Sequence, residues 1–123
     1  MNNRITTKEI SVGEKKYQLK KIDARSACWL FTYLGAKSAG GSIISGLGAC
    51  TKQEFEEITS LVLKPVLCLD NSDGNHFEIP IMAANSNIVD DNLDGGNLMS
   101  LLSQAIVFNL EPFLAERESS SQT

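Results

Sequence analysis

The sequence is short of the residues from which most catalytic and metal sites are built. Its 123 residues include one histidine and three cysteines and carry a net charge of −4. His76 lies in no serine, cysteine or aspartate arrangement that indicates a catalytic triad. Cys28, Cys50 and Cys68 match no zinc pattern, since structural zinc ligands come in close pairs. The sequence therefore predicts neither an enzyme nor a protein with a metal or other cofactor.

Basic charge and long apolar runs are also scarce. A net negative charge argues against nucleic acid as a partner, because phosphate binding needs a basic field. No apolar run approaches the roughly 20 residues of a membrane helix, and residues 1–25 contain no apolar signal-peptide region. An odd number of cysteines among apolar or small neighbours is typical of reduced thiols. Together these features predict a cytoplasmic protein that binds neither nucleic acid nor membrane.

What the chain does have is ordinary globular composition, with 42% apolar and 21% charged residues. Its length predicts one domain, for which we expect residues 1–118, followed by a disordered tail at 119–123. A chain of this size can bury a core of its own.

The most apolar helical pattern is NLMSLLSQAIVFNLEPFL, residues 97–114. Its apolar residues repeat with the helical period, which predicts a helix over about 97–110. Asn97 is the expected cap, and Pro112 should end or kink the helix near Leu110, because proline lacks an N–H and clashes with the preceding turn. This face either fills the core or leaves Leu110, Phe113 and Leu114 for a partner.

The N-terminal third predicts a hairpin followed by a helix. Apolar and charged residues alternate on both sides of Gly13 over about residues 5–22, as in a β-hairpin with one buried face. Asp23 should cap a helix over about 24–38. Its expected core stripe comprises Ala24, Ala27, Cys28, Phe31 and Leu34. Further apolar residues widen the stripe beyond what the core needs, which predicts a self-association surface. These residues are Trp29, Leu30 and Tyr33.

The segment SAGGSIISGLGAC is rich in glycine but lacks the order of a phosphate-binding loop. It predicts a flexible connection that lays Ile43, Ile44 and Leu47 on a surface, where they could adapt to a partner. A capping box at Thr51 and Glu54 then begins a helix over about 52–64.

The remaining elements complete an α+β prediction of an N-terminal hairpin packed on about three main helices. Residues 66–69 and 77–81 could form a second short hairpin, in which Pro80 requires an edge position, or Pro80 leaves the run as extended coil. The side chains predicted to be substantially buried are Trp29, Phe31, Phe55, Ile58, Leu102 and Ile106. Asp90, Asn92, Asp94 and Gly95 open like a calcium loop, but Leu101 stands where the bidentate glutamate is needed.

In its order of elements nearly the whole chain resembles the tail assembly chaperones of long-tailed bacteriophages. The hairpin GEKKYQLKKIDA fits their G-x-x-Y-x-L-x-K pattern followed by alanine. The closing helix, like theirs, carries an asparagine and a phenylalanine near its end. The matching positions are Gly13, Tyr17, Leu19, Lys21, Ala24, Asn109 and Phe113. The glycine-rich segment and the Asn/Asp-rich stretch after residue 83 depart from what the resemblance leads us to expect.

The resemblance implies a binding protein of the host cytoplasm that is absent from the mature virion. Its partner would be the tape-measure protein, whose apolar helical stretches it would keep soluble before the tail tube polymerises. Family members are often also made as a longer frameshifted product that engages the tail tube protein, and we expect a homo-oligomer. The alternatives are a structural tail component, such as a tube or connector subunit, or another small phage morphogenesis protein. Candidate partner-binding residues are Ile43, Ile44, Leu47, Leu110, Phe113 and Leu114.

Overall fold

The fold is α+β, as the sequence predicts, with helices packed on one face of an antiparallel sheet. The structure, a computed structural model, describes residues 6–70, 77–83, 88 and 93–121. The sheet has the strand order β1-β2-β3-β4, and the strands are β1 Thr7–Val12, β2 Lys15–Lys20, β3 Leu67–Asp70 and β4 Phe77–Pro80. The helices are α1 Ala24–Ser38, a 3₁₀ helix Ile43–Ala49, α2 Lys52–Leu63 and α3 Gly95–Ser121.

Alternation of side chains along β1 and β2 produces the first hairpin where it was predicted. A two-residue loop joins the strands, since Val12 pairs with Lys15. Gly13 has a φ of 61°, which glycine adopts without the strain that a Cβ would impose. Ile10, Val12, Tyr17 and Leu19 are buried on the helix side, whereas the alternate residues are polar and largely exposed. The predicted second hairpin is also present as β3 and β4, with Pro80 in an edge strand.

The first two α-helices begin where their capping residues predict. The Asp23 carboxylate accepts the Ser26 N–H at 3.0 Å at the start of α1. At α2 the Thr51 hydroxyl accepts the Glu54 N–H at 3.1 Å, and the Glu54 carboxylate accepts the Thr51 N–H at 2.8 Å. Both exchanges satisfy N–H groups that the first helical turn would otherwise leave unpaired.

The predicted cap and end of α3 are both wrong. Asp94, not Asn97, caps the helix, because its carboxylate accepts the Asn97 N–H at 2.8 Å. The helix does not end near Leu110 but continues through Pro112 to Ser121, into the stretch predicted as a tail. At 27 residues it is about 40 Å long.

A lysine from the sheet explains how α3 can contain Pro112. Proline has no N–H, so the carbonyl of Phe108, four residues earlier, lacks its helical donor. The Lys21 ammonium donates a hydrogen bond to that carbonyl, and it also lies 4.1 Å from the centre of the Phe108 ring. The bond removes part of the penalty that normally stops a helix at proline.

A buried asparagine makes the neighbouring connection between sheet and helix. Asn109 is 3% exposed; its side-chain oxygen accepts the Ile22 N–H at 2.7 Å, and its amide donates to the Ala105 carbonyl at 2.9 Å. Ile22 follows the last residue pair of the first hairpin, where its N–H would otherwise lack a partner in the β1–β2 ladder. Asn109 thereby fixes the exit of β2 against α3.

The core lies between the sheet and the helices and is densest along α3. Leu101, Leu102, Ala105, Ile106, Phe108 and Leu110 are all buried, and so are Ile58 of α2 and Tyr17 of β2. Burial of Ile58, Leu102 and Ile106 was predicted correctly. Phe31 and Phe55 are half-buried against the same cluster.

The predicted orientation of α1 is wrong. Trp29 was expected in the core, but 43% of its surface is exposed, whereas Leu30 is fully buried. Ala24 and Cys28, assigned to the core stripe, are exposed as well. The helix buries Ala27, Leu30 and Leu34, which share one face at helical spacing. Ala24 and Cys28 thus lie outside the core face, which contains the larger Leu30, and Trp29 points outward.

Truncation of a core leucine in α3 should destabilise the protein strongly. Leu102→Ala removes a fully buried side chain, and we expect a loss of about 2–5 kcal/mol in the free energy of unfolding, measured by urea denaturation. Val107→Ala, at an exposed position of the same helix, is the matched control. A loss below about 1 kcal/mol for Leu102→Ala would contradict its place in the core.

The link between Lys21 and Pro112 can be tested by a double-mutant cycle. Lys21→Met keeps the apolar stem but removes the donor to the Phe108 carbonyl, so we expect a loss of about 1–3 kcal/mol. Pro112→Ala restores the helical N–H, and in that background the same lysine substitution should have a smaller effect. Lys20→Met, on an exposed residue next to Lys21, is the control. Equal effects of Lys21→Met in both backgrounds would show that the lysine does not compensate for the proline.

Candidate interaction surfaces

The sheet's apolar face extends beyond its helical cover at β4. Ile10, Tyr17, Cys68 and Ile79 form one row across the four strands, so their side chains lie on the same face. The first three are buried, but Ile79 is 46% exposed. Phe77, two residues earlier on the same face of β4, is 51% exposed. We call Phe77 and Ile79 the β4 margin.

A second exposed surface lies on α1, where Trp29 and Tyr33 stack with ring centres 5.0 Å apart. Tyr33 is half-buried, and its hydroxyl donates to the Glu54 carboxylate of α2. Lys37, one turn further along α1, lies 3.6 Å from the same carboxylate and 5.5 Å from the Tyr33 ring centre. Glu54 therefore joins α1 to the first turn of α2.

This contact shifts the acidity of both partners. The hydrogen bond to Glu54 raises the pKa of Tyr33 to about 12, because ionised Tyr33 would lose its donor and face a carboxylate. The same hydrogen bond, followed by that from the Thr51 N–H, lowers the pKa of Glu54 to about 2, and Lys37 contributes in the same direction. The contact therefore favours ionised Glu54 and neutral Tyr33 across the neutral pH range.

The residues predicted for self-association do not form one surface. Trp29 is exposed and Tyr33 is partly exposed, but Leu30 points into the core. Its assignment to a self-association surface is therefore wrong. Helical spacing explains the division, since Trp29 and Tyr33 are four apart and share a face, whereas Leu30 lies about 100° round the helix from Trp29 and faces the core.

The glycine-rich segment is a 3₁₀ helix packed against α1 and not a surface connection. Ile43 and Leu47 are buried, and Ile44 is half-buried against the core, so the prediction that the three lie on a surface is wrong for the first two. Gly46 explains the close packing, because a Cβ at this position would lie 2.6 Å from the carbonyl oxygen of Leu34. The glycine permits a close approach of backbones, which the composition alone cannot distinguish from mobility.

The C-terminal candidates are also drawn largely into the core. Leu110 is fully buried and therefore not accessible as a binding residue. Phe113 stacks on Phe31 with ring centres 4.9 Å apart, and Leu114 packs partly against the core. Ile44, Phe113 and Leu114 thus remain partly accessible, whereas Ile43, Leu47 and Leu110 do not. The sequence did not predict that the β4 margin is exposed. Phe77 and Ile79 alternate with Glu78 and Pro80, a pattern that is typical of an ordinary half-buried strand.

The described residues contain no arrangement that supports a metal site or a membrane-spanning helix. No three His, Cys, Asp or Glu side chains in that part of the chain come together to hold a metal ion. His76, Asp90 and Asn92 lie outside the described residues, and Asp94 serves as the cap of α3. None of the described helices combines the length and the hydropathy needed to span a membrane.

Comparison of the chain with protein-family models, with curated proteins and with solved structures finds no match. Functional inference therefore depends on the exposed surfaces and on the sequence resemblance.

The shifted acidity of Glu54 predicts how stability changes with pH. Because its pKa is lower in the folded protein than its ordinary value of 4.5, its contribution should be complete above about pH 4.5 and be lost as pH falls towards about 2. Glu54→Gln should therefore lower the free energy of unfolding at neutral pH, and its difference from wild type should shrink over that interval. Denaturation curves at several pH values would measure this difference.

Two further variants separate the causes of that pH dependence. Tyr33→Phe removes the main donor to Glu54 and so raises the pKa of the folded carboxyl, and the pH-dependent loss of stability should be smaller and end at a higher pH than in wild type. Glu56→Gln makes the same charge change at an exposed position on α2. A Glu54→Gln difference that stays constant down to pH 2 would contradict the assigned role of the contact.

Proposed function

We propose that this protein is a tail assembly chaperone of a long-tailed bacteriophage. In this function it binds apolar helical stretches of the tape-measure protein and keeps them soluble before the tail tube polymerises. The observation that carries the proposal is the β4 margin, where large apolar side chains stay exposed beside a core that is complete without them. Exposed apolar surface of this kind commonly marks a binding site on a soluble protein.

The geometry of the margin suits an apolar helix as ligand. The sheet's helix-facing side continues from the buried Cys68 to the exposed Ile79, so a partner helix lying there would extend the protein's own helical layer. Such binding follows the helix-in-groove mode, in which apolar residues at helical spacing contact an apolar surface. Trp29, on the second exposed surface described above, is a further candidate contact. Of the residues first considered for this role, Ile44, Phe113 and Leu114 remain partly accessible.

The proposed activity requires binding and release but no catalysis. Long apolar helical stretches aggregate when they are exposed before assembly, and covering them reversibly prevents this. The protein would act in the host cytoplasm as a homo-oligomer and be absent from the mature virion. A longer frameshifted product, if the gene encodes one, would bring the tail tube protein to the complex. Neither nucleic acid nor membrane takes part in this mechanism.

Co-expression with the tape-measure protein of the same phage tests the proposal. Wild-type protein should keep the tape-measure protein soluble and co-purify with it. Phe77→Ser combined with Ile79→Ser should abolish co-purification while changing the thermal unfolding temperature little, because both side chains are about half exposed. Phe113→Ser is less informative, since it also removes the stack on Phe31.

Met99→Ser is the matched control, because it removes exposed apolar surface from the start of α3, outside the margin. If wild-type protein neither solubilises nor retains the tape-measure protein, the proposal is wrong. If the double variant binds as well as wild type, the margin is not the binding surface. Mass spectrometry of purified particles distinguishes a chaperone from a structural tail component, because stoichiometric presence of the protein in virions would indicate the tail component.

A further inference from the structure

The two edges of the sheet differ in the backbone groups they present. The Lys21 N–H donates to the Thr6 carbonyl at 2.9 Å, which sets the phase of the β1–β2 ladder. Hydrogen-bonded pairs alternate in antiparallel strands, so Lys8, Ile10 and Val12 bond to β2. The intervening residues of β1 direct their N–H and C=O groups away from the sheet. These residues are Thr7, Glu9 and Ser11.

The opposite edge is blocked by a proline. The Ile81 N–H donates to the Val66 carbonyl at 3.4 Å, so Phe77 and Ile79 are the strand residues that bond to β3. Glu78 and Pro80 therefore face outward, and Pro80 has no N–H to give. Within the described strand only Glu78 retains an outward donor, which makes β4 a poor acceptor for an added strand.

We propose that a second copy of this chain docks on β1, pairing β1 with β1 antiparallel about a two-fold axis and forming a continuous eight-stranded sheet. This inference rests on the homo-oligomer of the proposed function and specifies its contact, and a monomer would overturn the dimer without deciding whether the tape-measure protein is bound. Pairing β1 with β4 of another copy would build an open head-to-tail chain, and Pro80 removes one of the two outward donors of β4 that such a contact needs. The β1 edge pairs with itself in a closed arrangement, and its outward-directed backbone groups are complementary under the two-fold axis.

Side-chain charge selects the register. With Ile10 opposite Ile10 of the second copy, Glu9 forms hydrogen-bonded pairs with Ser11, and Lys8 lies opposite Val12. Shifting the strands in one direction places Glu9 opposite Glu9 and then Lys8 opposite Lys8. Shifting them in the other direction places Ser11 opposite Ser11 and leaves only residues 10–12 of β1 paired. Like charges directly opposite each other destabilise a strand pair. The Ile10-centred register is therefore favoured among those that keep the two helical layers on the same face.

A groove beside this edge provides contact beyond the backbone. It has a volume of about 210 Å³ and lies between β1 and α3, lined by Lys8, Ser103, Gln104, Val107, Phe108 and Glu111. Val107 is 39% exposed there. The two-fold axis would bring two such grooves face to face, covering both copies of Val107. It would also place Lys8 and Glu111, which have opposite charges, on both sides of the contact.

Sedimentation equilibrium tests the proposal, and wild-type protein should show twice the chain mass of 13.4 kDa. Ser11→Pro removes an outward N–H without breaking the β1–β2 ladder. Because the axis repeats the loss, the dimer should weaken roughly tenfold or more. Glu78→Pro makes the same change at the β4 edge and should leave the dimer intact. Val107→Glu adds a charge to the groove and provides a second variant in case Ser11→Pro does not fold.

Cysteine crosslinking tests the register in a Cys28→Ser background, which removes the exposed thiol. Hydrogen-bonded antiparallel partners lie about 5.5 Å apart between Cα atoms, within the range of a disulfide. Glu9→Cys mixed with Ser11→Cys should crosslink on oxidation, whereas each variant alone should not. Crosslinking of Glu9→Cys with itself would overturn the register. A monomer at high concentration, or a dimer that survives both Ser11→Pro and Val107→Glu, would overturn the proposal.

Discussion

The carbonyl that Pro112 leaves without a helical donor is the constraint on which the arrangement of sheet and helices depends. Phe108 is 2% exposed, so leaving its carbonyl without a donor would carry a desolvation cost. Lys21, just after β2, supplies the donor. The residue after each of these partners forms a second bond, in which the Ile22 N–H donates to the Asn109 side chain. These two bonds hold the end of the hairpin at one position along α3. The start of α1, immediately after this point, is placed by the same contacts.

Five of the seven positions that carry the sequence resemblance have structural explanations within this chain. Gly13 provides the positive φ of the hairpin loop, and Tyr17 and Leu19 fill the core beneath the helices. Lys21 and Asn109 form the junction with α3. None of these roles requires a partner. A motif made of such residues specifies how the domain is built, and function must be argued from the surfaces that the motif leaves free.

Local signals predicted most of the fold, and contacts between distant residues explain most errors. The hairpin and the starts of α1 and α2 follow from alternation, a loop glycine and caps within a few residues of each other. The end of α3 could not be predicted in the same way, because the donor that compensates for Pro112 bonds to a residue 87 positions away. The glycine-rich segment was misread for a similar reason, since only the close approach of Gly46 to Leu34 distinguishes packing from mobility.

The surface predictions are wrong for residues whose apolar character does not imply exposure. Four of the predicted surface residues are instead buried in the core, and they are Leu30, Ile43, Leu47 and Leu110. Which apolar residues remain outside depends on how far the helices reach across the sheet, and this is a property of the assembled layers. The helices cover the sheet up to Cys68, and the row then continues to Ile79, which is 46% exposed.

The order of strands gives this uncovered margin a consequence for assembly. The margin and the open backbone edge lie at opposite sides of one sheet, because β4 and β1 are its two edge strands. A dimer closed through β1 would therefore leave both copies of the margin free, one at each end of the enlarged sheet. Two such surfaces on a rigid support could bind successive apolar stretches of one long chain, and the second contact would form at a raised effective concentration. Individually weak contacts would then suffice to cover the chain, and each could still be displaced separately as a competing subunit arrives.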